Sequence, residues 1–141
     1  MIRPFQPQDL HRVLALWLAG NLEAHSFIPP AYWRENYGLV SQQLPQADLS
    51  VYASDGCVQA FAGMIGNYLA GLFVDKAHRS AGIGKALLDY LKASHPTMTL
   101  HVYQKNQRAA AFYRREGFSI QAQGIDPSTG EAEWTMVWVR G

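Results

Sequence analysis

Apolar positions recur along the chain with distinct periods, and each period predicts a different element. Leu10, Val13, Leu14 and Trp17 stand at i, i+3, i+4 and i+7, one helix face, with Pro7 and Asp9 suited to the start and Gly20 marking the expected end. Residues 21–30 read as irregular. Pro30 then opens a second, weaker helical stretch to about Leu44, stopped by Pro45. Before these, residues 2–5 read as a short edge strand, because Pro4 cannot donate to a central ladder. Residues 49–53 and 57–64 read as strands joined through Ser54, Asp55 and Gly56, a hairpin signal.

The second half of the chain is patterned more strongly. Tyr68–Val74 is an apolar run bounded by Gly66-Asn67 and Asp75, the pattern of a buried strand. Ile83, Ala86, Leu87, Tyr90 and Leu91 oppose Lys85, Asp89 and Lys92, which predicts an amphipathic helix over 83–93. Met98, Leu100 and Val102 alternate with Thr99, His101 and Tyr103, giving a strand over 98–103. A helix over 106–116 ends at Gly117, and residues 118–123 and 133–139 pair as strands across a turn containing Asp126-Pro127 and Gly130. Strand, helix, strand, helix, strand implies parallel pairing with right-handed crossovers in an α/β (α+β) fold.

A length of 141 residues bounds the chain to one domain, residues 1–141. With 48% of residues hydrophobic, a core forms without disulfides or a structural metal. Cys57 is the only cysteine, which excludes an internal disulfide and a cysteine-rich zinc site. His78, His95 and His101 lack metal-ligand spacing and are expected at or near the surface, so no metal is assigned. The longest apolar run, residues 13–19, is far short of a membrane span, and no leader pattern opens the chain, so a cytoplasmic protein without a membrane partner is expected. Net charge is only +1, yet residues 76–115 hold eight basic side chains against the single acid Asp89. Part of the surface therefore suits a polyanion. No helix-turn-helix, finger or RNA-binding signature accompanies it, and nucleic acid is not the expected partner.

The segment from Arg79 to Lys85 lies between the buried strand and the amphipathic helix. A helix start offers unpaired N–H groups and a partial positive charge, and Gly82 and Gly84 carry no side chain to block a phosphate. Two nucleotide motifs are excluded. A P-loop requires Gly where Arg79 stands and Ser or Thr where Ala86 stands, and a dinucleotide fingerprint requires Gly in place of Leu87. At about 100° per residue, Asn106, Ala109, Ala110 and Tyr113 fall on one helix face. An amide, two small residues and a phenol in a row suit the floor of a groove for an extended ligand, while Asn106 as an N-cap and Tyr113 as a packing residue suit the same positions.

Together these segments resemble the GNAT superfamily of acetyl-CoA-dependent N-acetyltransferases. Arg79-x-x-Gly82-x-Gly84 is similar to the family's pyrophosphate loop, Leu72-Phe73-Val74 to the strand before it, and Leu100-x-Val102-x-x-x-Asn106-x-x-Ala109-x-x-Phe112-Tyr113-x-x-x-Gly117-Phe118 to its strand-helix-strand tail. The resemblance implies a twisted mixed sheet with two splayed central parallel strands, 68–74 and 98–103, flanked by helices, with acetyl-CoA in the splay. It implies pantetheine against Leu72, Phe73 and Val74, and pyrophosphate against amides of Arg79, Ser80, Ala81, Gly82, Ile83, Gly84 and Lys85. Asn106 is then expected to meet the pantetheine arm and Tyr113 the thioester sulfur, with Lys85, Arg108 and Arg114 as candidates for the ribose phosphate.

The implied reaction moves acetyl from acetyl-CoA directly to a primary amine, on a small molecule, a protein lysine or an N-terminus. An attacking amine must be neutral and the departing thiolate needs a proton, which the resemblance assigns to Tyr113. Some relatives carry a carboxylate on the strand matching Tyr68–Val74, where this chain has none, so Glu23 and His25 are the candidate bases, with a water relay or another residue such as Tyr68 as the alternatives. A non-catalytic acyl-CoA-binding module and a longer acyl donor are the competing readings, and the chain is expected to be a monomer or homodimer.

Overall fold

The computed structural model describes residues 1–79 and 81–141. Ser80, one of the expected phosphate-loop residues, lies outside the described residues. The elements, in order, are β1 (Ile2–Pro4), α1 (Leu10–Ala24), α2 (Pro30–Gln43), β2 (Asp48–Ser54), β3 (Cys57–Ile65), β4 (Tyr68–Val74), α3 (Ile83–Ser94), β5 (Thr97–Tyr103), α4 (Gln107–Arg115), β6 (Ser119–Ile125) and β7 (Ala132–Val139). Seven strands form one mixed sheet in the order β1-β2-β3-β4-β5-β7-β6. All neighbours run antiparallel except β4 and β5, which are parallel and joined through α3.

Strand alternation divides the core into two layers. Phe61 and Phe73 point to the α1 side, where they pack with Val13, Leu16, Leu49 and Val51. Leu69, Met98, Leu100 and Val102 point to the other side, against Leu88 and Leu91 of α3 and Tyr113 of α4. The β2–β3 hairpin turns at Asp55 and Gly56, whose φ values of 54° and 75° are both left-handed, as a tight two-residue turn requires. No helix among the described residues is long and apolar enough to cross a membrane.

Two features depart from the sequence pattern. The first helix runs through Gly20 to Ala24, so Glu23 is helical and His25 is its C-cap. A Cβ on Gly20 would stand 2.7 Å from Cδ1 of Phe73, so this glycine serves the close approach of α1 to β4 rather than a helix stop. The second departure concerns the last crossover. β5 and β6 are parallel but do not pair, because β7 lies between them. Six of the seven residues of β6 are exposed, whereas β7 contributes fully buried Met136 and core-packed Trp134 and Trp138, so the more apolar strand takes the interior position.

Candidate active site

β4 pairs along its length with β3 but meets β5 at a single position, Tyr68 opposite Thr99, braced by Thr99 N–H donating to Asn67 C=O at 2.9 Å. Beyond that point the two strands diverge, and the β5-facing edge of Leu72, Phe73 and Val74 has no strand partner. Ala70 is unpaired as well, since Gly63 pairs with Gly71 and Met64 with Leu69, which bulges β4 beside the opening. Unpaired backbone along an otherwise paired strand is suited to an extended ligand with amides of its own.

At the wide end of the opening stands the first turn of α3. Its N-cap is Gly82, with φ 79°, and no side chain caps it. Ala86 N–H is bonded to Gly82 C=O at 3.0 Å, and among the described residues the N–H groups of Ile83, Gly84 and Lys85 are the open ones. The two loop glycines differ in purpose. A Cβ on Gly82 would meet nothing within 4 Å, whereas one on Gly84 would lie 3.2 Å from Cζ of Phe112, so Gly84 lets α3 approach α4. Arg79 is bonded to Glu23, whose other oxygen lies 3.8 Å from Lys76 Nζ. The Arg79 guanidinium, helped by Lys76 and Arg108, holds the Glu23 carboxyl below the usual carboxylate range. Lys85 is shared between Asp89 and Glu116, at 3.2 and 3.3 Å. Among the described residues, Arg108 and Arg114 have no carboxylate within ion-pair reach.

The other wall of the opening is α4. Asn106 caps it, its Oδ1 accepting from Ala109 N–H at 3.3 Å. The Asn106 amide also donates to Nε2 of His25 at 3.1 Å, so Nδ1 carries the ring proton and donates to Asn21 Oδ1 at 3.0 Å. Asn21, 3% exposed, is held in turn by Trp17 C=O. His25 stacks on Trp33, 5.5 Å between centroids, and meets the ring of Tyr103 edge-on at 5.0 Å. This desolvation lowers its pKa to about 4. His25 therefore bridges α1 and α4 as a neutral ring. Tyr113 is buried between Phe112 and Phe118, and burial pushes its phenol well above the ordinary value. Among the described residues nothing hydrogen-bonds its hydroxyl.

On the opposite face of the sheet, the Tyr68 hydroxyl reaches across the vertex of the splay to Nδ1 of His101 at 3.1 Å. Next to it, Tyr103 donates to Asp126 Oδ2 at 2.6 Å. Sequence reasoning left His101 at the surface and Asn21 unremarked. His101 meets Tyr68, 33 residues away, and only the alternation of β5 hinted that it shares a face with Thr99 and Tyr103. Asn21 lies within α1, four residues from both Trp17 and His25, beyond the expected helix end at Gly20.

These features fit a coenzyme A, with an unpaired strand edge for the arm and open amides beside Gly82 for phosphate. Residues 46–120 match the family model described as an acetyltransferase (GNAT) domain. The chain is 39% identical over 140 residues to the peptidyl-lysine N-acetyltransferase YiaC of Escherichia coli (strain K12), covering 98% of this chain and 96% of that protein. Its fold is similar to the solution structure of apo-form YjaB from Escherichia coli, with a TM-score of 0.88, 24% identity and coverage of 100% and 98%. It is also similar to the PaiA N-acetyltransferase of Thermoplasma acidophilum, solved in complex with coenzyme A, with a TM-score of 0.78, 18% identity and coverage of 99% and 98%. The chain belongs to the GNAT family of N-acetyltransferases, enzymes that move acetyl from acetyl-CoA to an amine.

Proposed function

We propose that the acceptor is the ε-amino group of a lysine presented by a peptide or protein. The observation that carries this reading is the open face of the second half of the sheet. α1 covers β3 and β4, and α3 and α4 cover the other side, so Thr99 and His101 of β5 and their β7 partners Val137 and Thr135 form an open face bounded by Tyr103, which packs against His25 and Phe27. An extended chain fits such a surface better than a small amine fits it. The name of the YiaC relative agrees with this acceptor.

Acetyl-CoA supplies an activated carbonyl and a thiolate leaving group. The remaining work falls to the chain's residues. Leu72, Phe73 and Val74 bind the arm through backbone groups, and the open N–H groups of Ile83, Gly84 and Lys85 with Gly82 hold pyrophosphate. Arg79 and Ala81 border that site, and Glu23 positions Arg79. Tyr113, kept protonated by burial, gives its proton to the departing sulfur. His25, with both ring nitrogens occupied, positions Asn106.

The test is a panel of N-terminally blocked peptides, each with one lysine, beside simple amines, scored by acetyl-CoA-dependent thiol release and mass spectrometry. Acetyl on the lysine nitrogen is the expected product. Turnover of simple amines with untouched peptides refutes the lysine reading, and coenzyme binding without transfer to anything favours the non-catalytic one.

A further inference from the structure

We propose that Tyr68 and His101, joined across the vertex of the splay, take the proton that the acceptor ammonium must lose. The inference rests on the amine-acetylating reading above and adds the proton route, for which that reading names no group. Glu23 is engaged by Arg79 and His25 by Asn21 and Asn106, and β4 carries no carboxylate.

Position is the first argument. Tyr68 occupies the only β4–β5 pairing, so its ring stands where the opening closes. Its hydroxyl contacts His101 Nδ1 at 3.1 Å, with ring centroids 5.5 Å apart. Tyr113 packs with Leu100 and Val102 on one face of β5, while His101 is exposed on the other. A thioester in the splay thus has the proton donor for sulfur on one side and this pair on the side open to the acceptor.

Chemistry is the second. The ammonium N–H proton passes to Tyr68 Oη as the Tyr68 O–H proton passes to His101 Nδ1, leaving a neutral amine, a neutral phenol and an imidazolium. The amine nitrogen then bonds the acetyl carbon, the carbon–sulfur bond breaks with its electron pair on sulfur, and the sulfur takes the Tyr113 proton. The second proton on nitrogen leaves to water as the amide forms, and a proton from water restores the Tyr113 phenol. Burial and the negative charges of Glu133 and Asp126 raise the Tyr68 phenol, so Tyr68 relays rather than ionises. The groups facing the pair are Glu133 on β7, Asp126 after β6 and Tyr103 on β5. Exposure lets His101 return its proton to solvent.

Tyr68→Phe and His101→Gln are compared with wild type on a blocked single-lysine peptide from pH 6 to 10.5. At neutral pH both should lose about 10²- to 10⁴-fold in kcat/KM, the range for a general base. The deficit should shrink toward pH 10.5, where a lysine amine of pKa about 10.4 deprotonates unaided. A deficit of equal size at every pH, or an unchanged profile, overturns the relay. If the peptide is not acetylated by wild type, the lysine reading fails separately, and the same profiles with n-butylamine decide the relay. Nitrogen NMR of free wild type gives a readout independent of turnover. A bare Nδ1 with the proton on Nε2 of His101 is expected, and a protonated Nδ1 in the neutral ring overturns the proposal.

Discussion

α3 and α4 both begin at the rim of the splay, and their first turns are built in opposite ways. α3 starts on Gly82 in the left-handed region, with no side-chain cap and three open N–H groups. α4 starts on Asn106, which satisfies Ala109 N–H and is itself tied to His25. A side-chain cap is worth about 1 kcal/mol, so α3 forgoes stability that α4 takes. The difference shows where the partner comes from. On the coenzyme reading proposed above, the open terminus is completed by an anion from outside, whereas the closed one is completed by the protein, which thereby fixes the wall that carries Tyr113. Phe112, packed against Gly84, keeps the two helices at one spacing.

The largest break in this comparison removes what the closed helix delivers. Tyr113→Phe keeps the ring between Phe112 and Phe118, so folding and coenzyme affinity should hold while kcat falls about 10²- to 10⁴-fold. Steady-state kinetics with a verified acceptor checks it. An unchanged kcat with chemistry rate-limiting returns Tyr113 to a packing role.

Next comes the ring that locks α4 in place. His25 has a folded pKa of about 4 against 6.5 for the free side chain, so the unfolded chain binds more protons between those values. Stability is therefore full above about pH 6.5 and declines as pH falls toward 4. At about 1.4 kcal/mol per tenfold change in proton affinity, the decline reaches at most about 3 kcal/mol. Urea unfolding of wild type and His25→Gln across this range isolates the effect, since the other histidines cancel in the difference. Parallel curves would show that the ring titrates as freely folded as unfolded.

How much of this contrast was legible in the sequence follows from the range of the interactions. The open terminus was legible, because a glycine loop between a strand run and an amphipathic run is a local pattern. Asn106 as a cap is equally local, and its place on α4 follows from spacing. The tie from Asn106 to His25 joins residues 81 apart, and the Tyr68–His101 contact joins residues 33 apart on strands whose pairing is limited to one position. No local period encodes either. Gly20 illustrates the converse error, since its helix-breaking tendency was outweighed by the fit of α1 onto Phe73. Glu23, read as part of the irregular segment between the first two helices, lies in the last turn of α1, and its engagement by Arg79 depends on the return of the chain after β4.

The open terminus is broken at Gly82. Gly82→Val adds a branched side chain facing open space at φ 79°, so it both strains the turn and shields the amides. Anion stabilisation at a helix start reaches about 2 kcal/mol when partly buried, which corresponds to about a 30-fold weaker coenzyme A in calorimetric titration. Gly84→Ala sharpens the contrast. Its Cβ meets Phe112 at 3.2 Å, so its main effect should appear as lowered melting temperature, and equal losses of affinity in both variants would erase the distinction between the two glycines.

The smallest effect is expected at Asn106, where two bonds can be separated. Asn106→Ala removes both the acceptor for Ala109 N–H and the donor to His25 Nε2, and loss of the cap should cost about 1 kcal/mol, or roughly 2–4 °C in melting temperature. Asn106→Asp keeps the cap acceptor and suits the positive helix end, but it has no proton for Nε2 and sets a carboxylate beside the ring. The Asp variant should therefore melt near wild type at neutral pH. It should also lose part of the decline between pH 6.5 and 4, because a neighbouring carboxylate favours the imidazolium and draws the folded pKa of His25 back toward 6.5. Thermal melts of both variants at pH 7.5 and 5 separate the contributions. If the Asp variant melts as low as the Ala variant at pH 7.5, the donation to His25 outweighs the cap, and the closed terminus is held by α1 rather than by its own first turn.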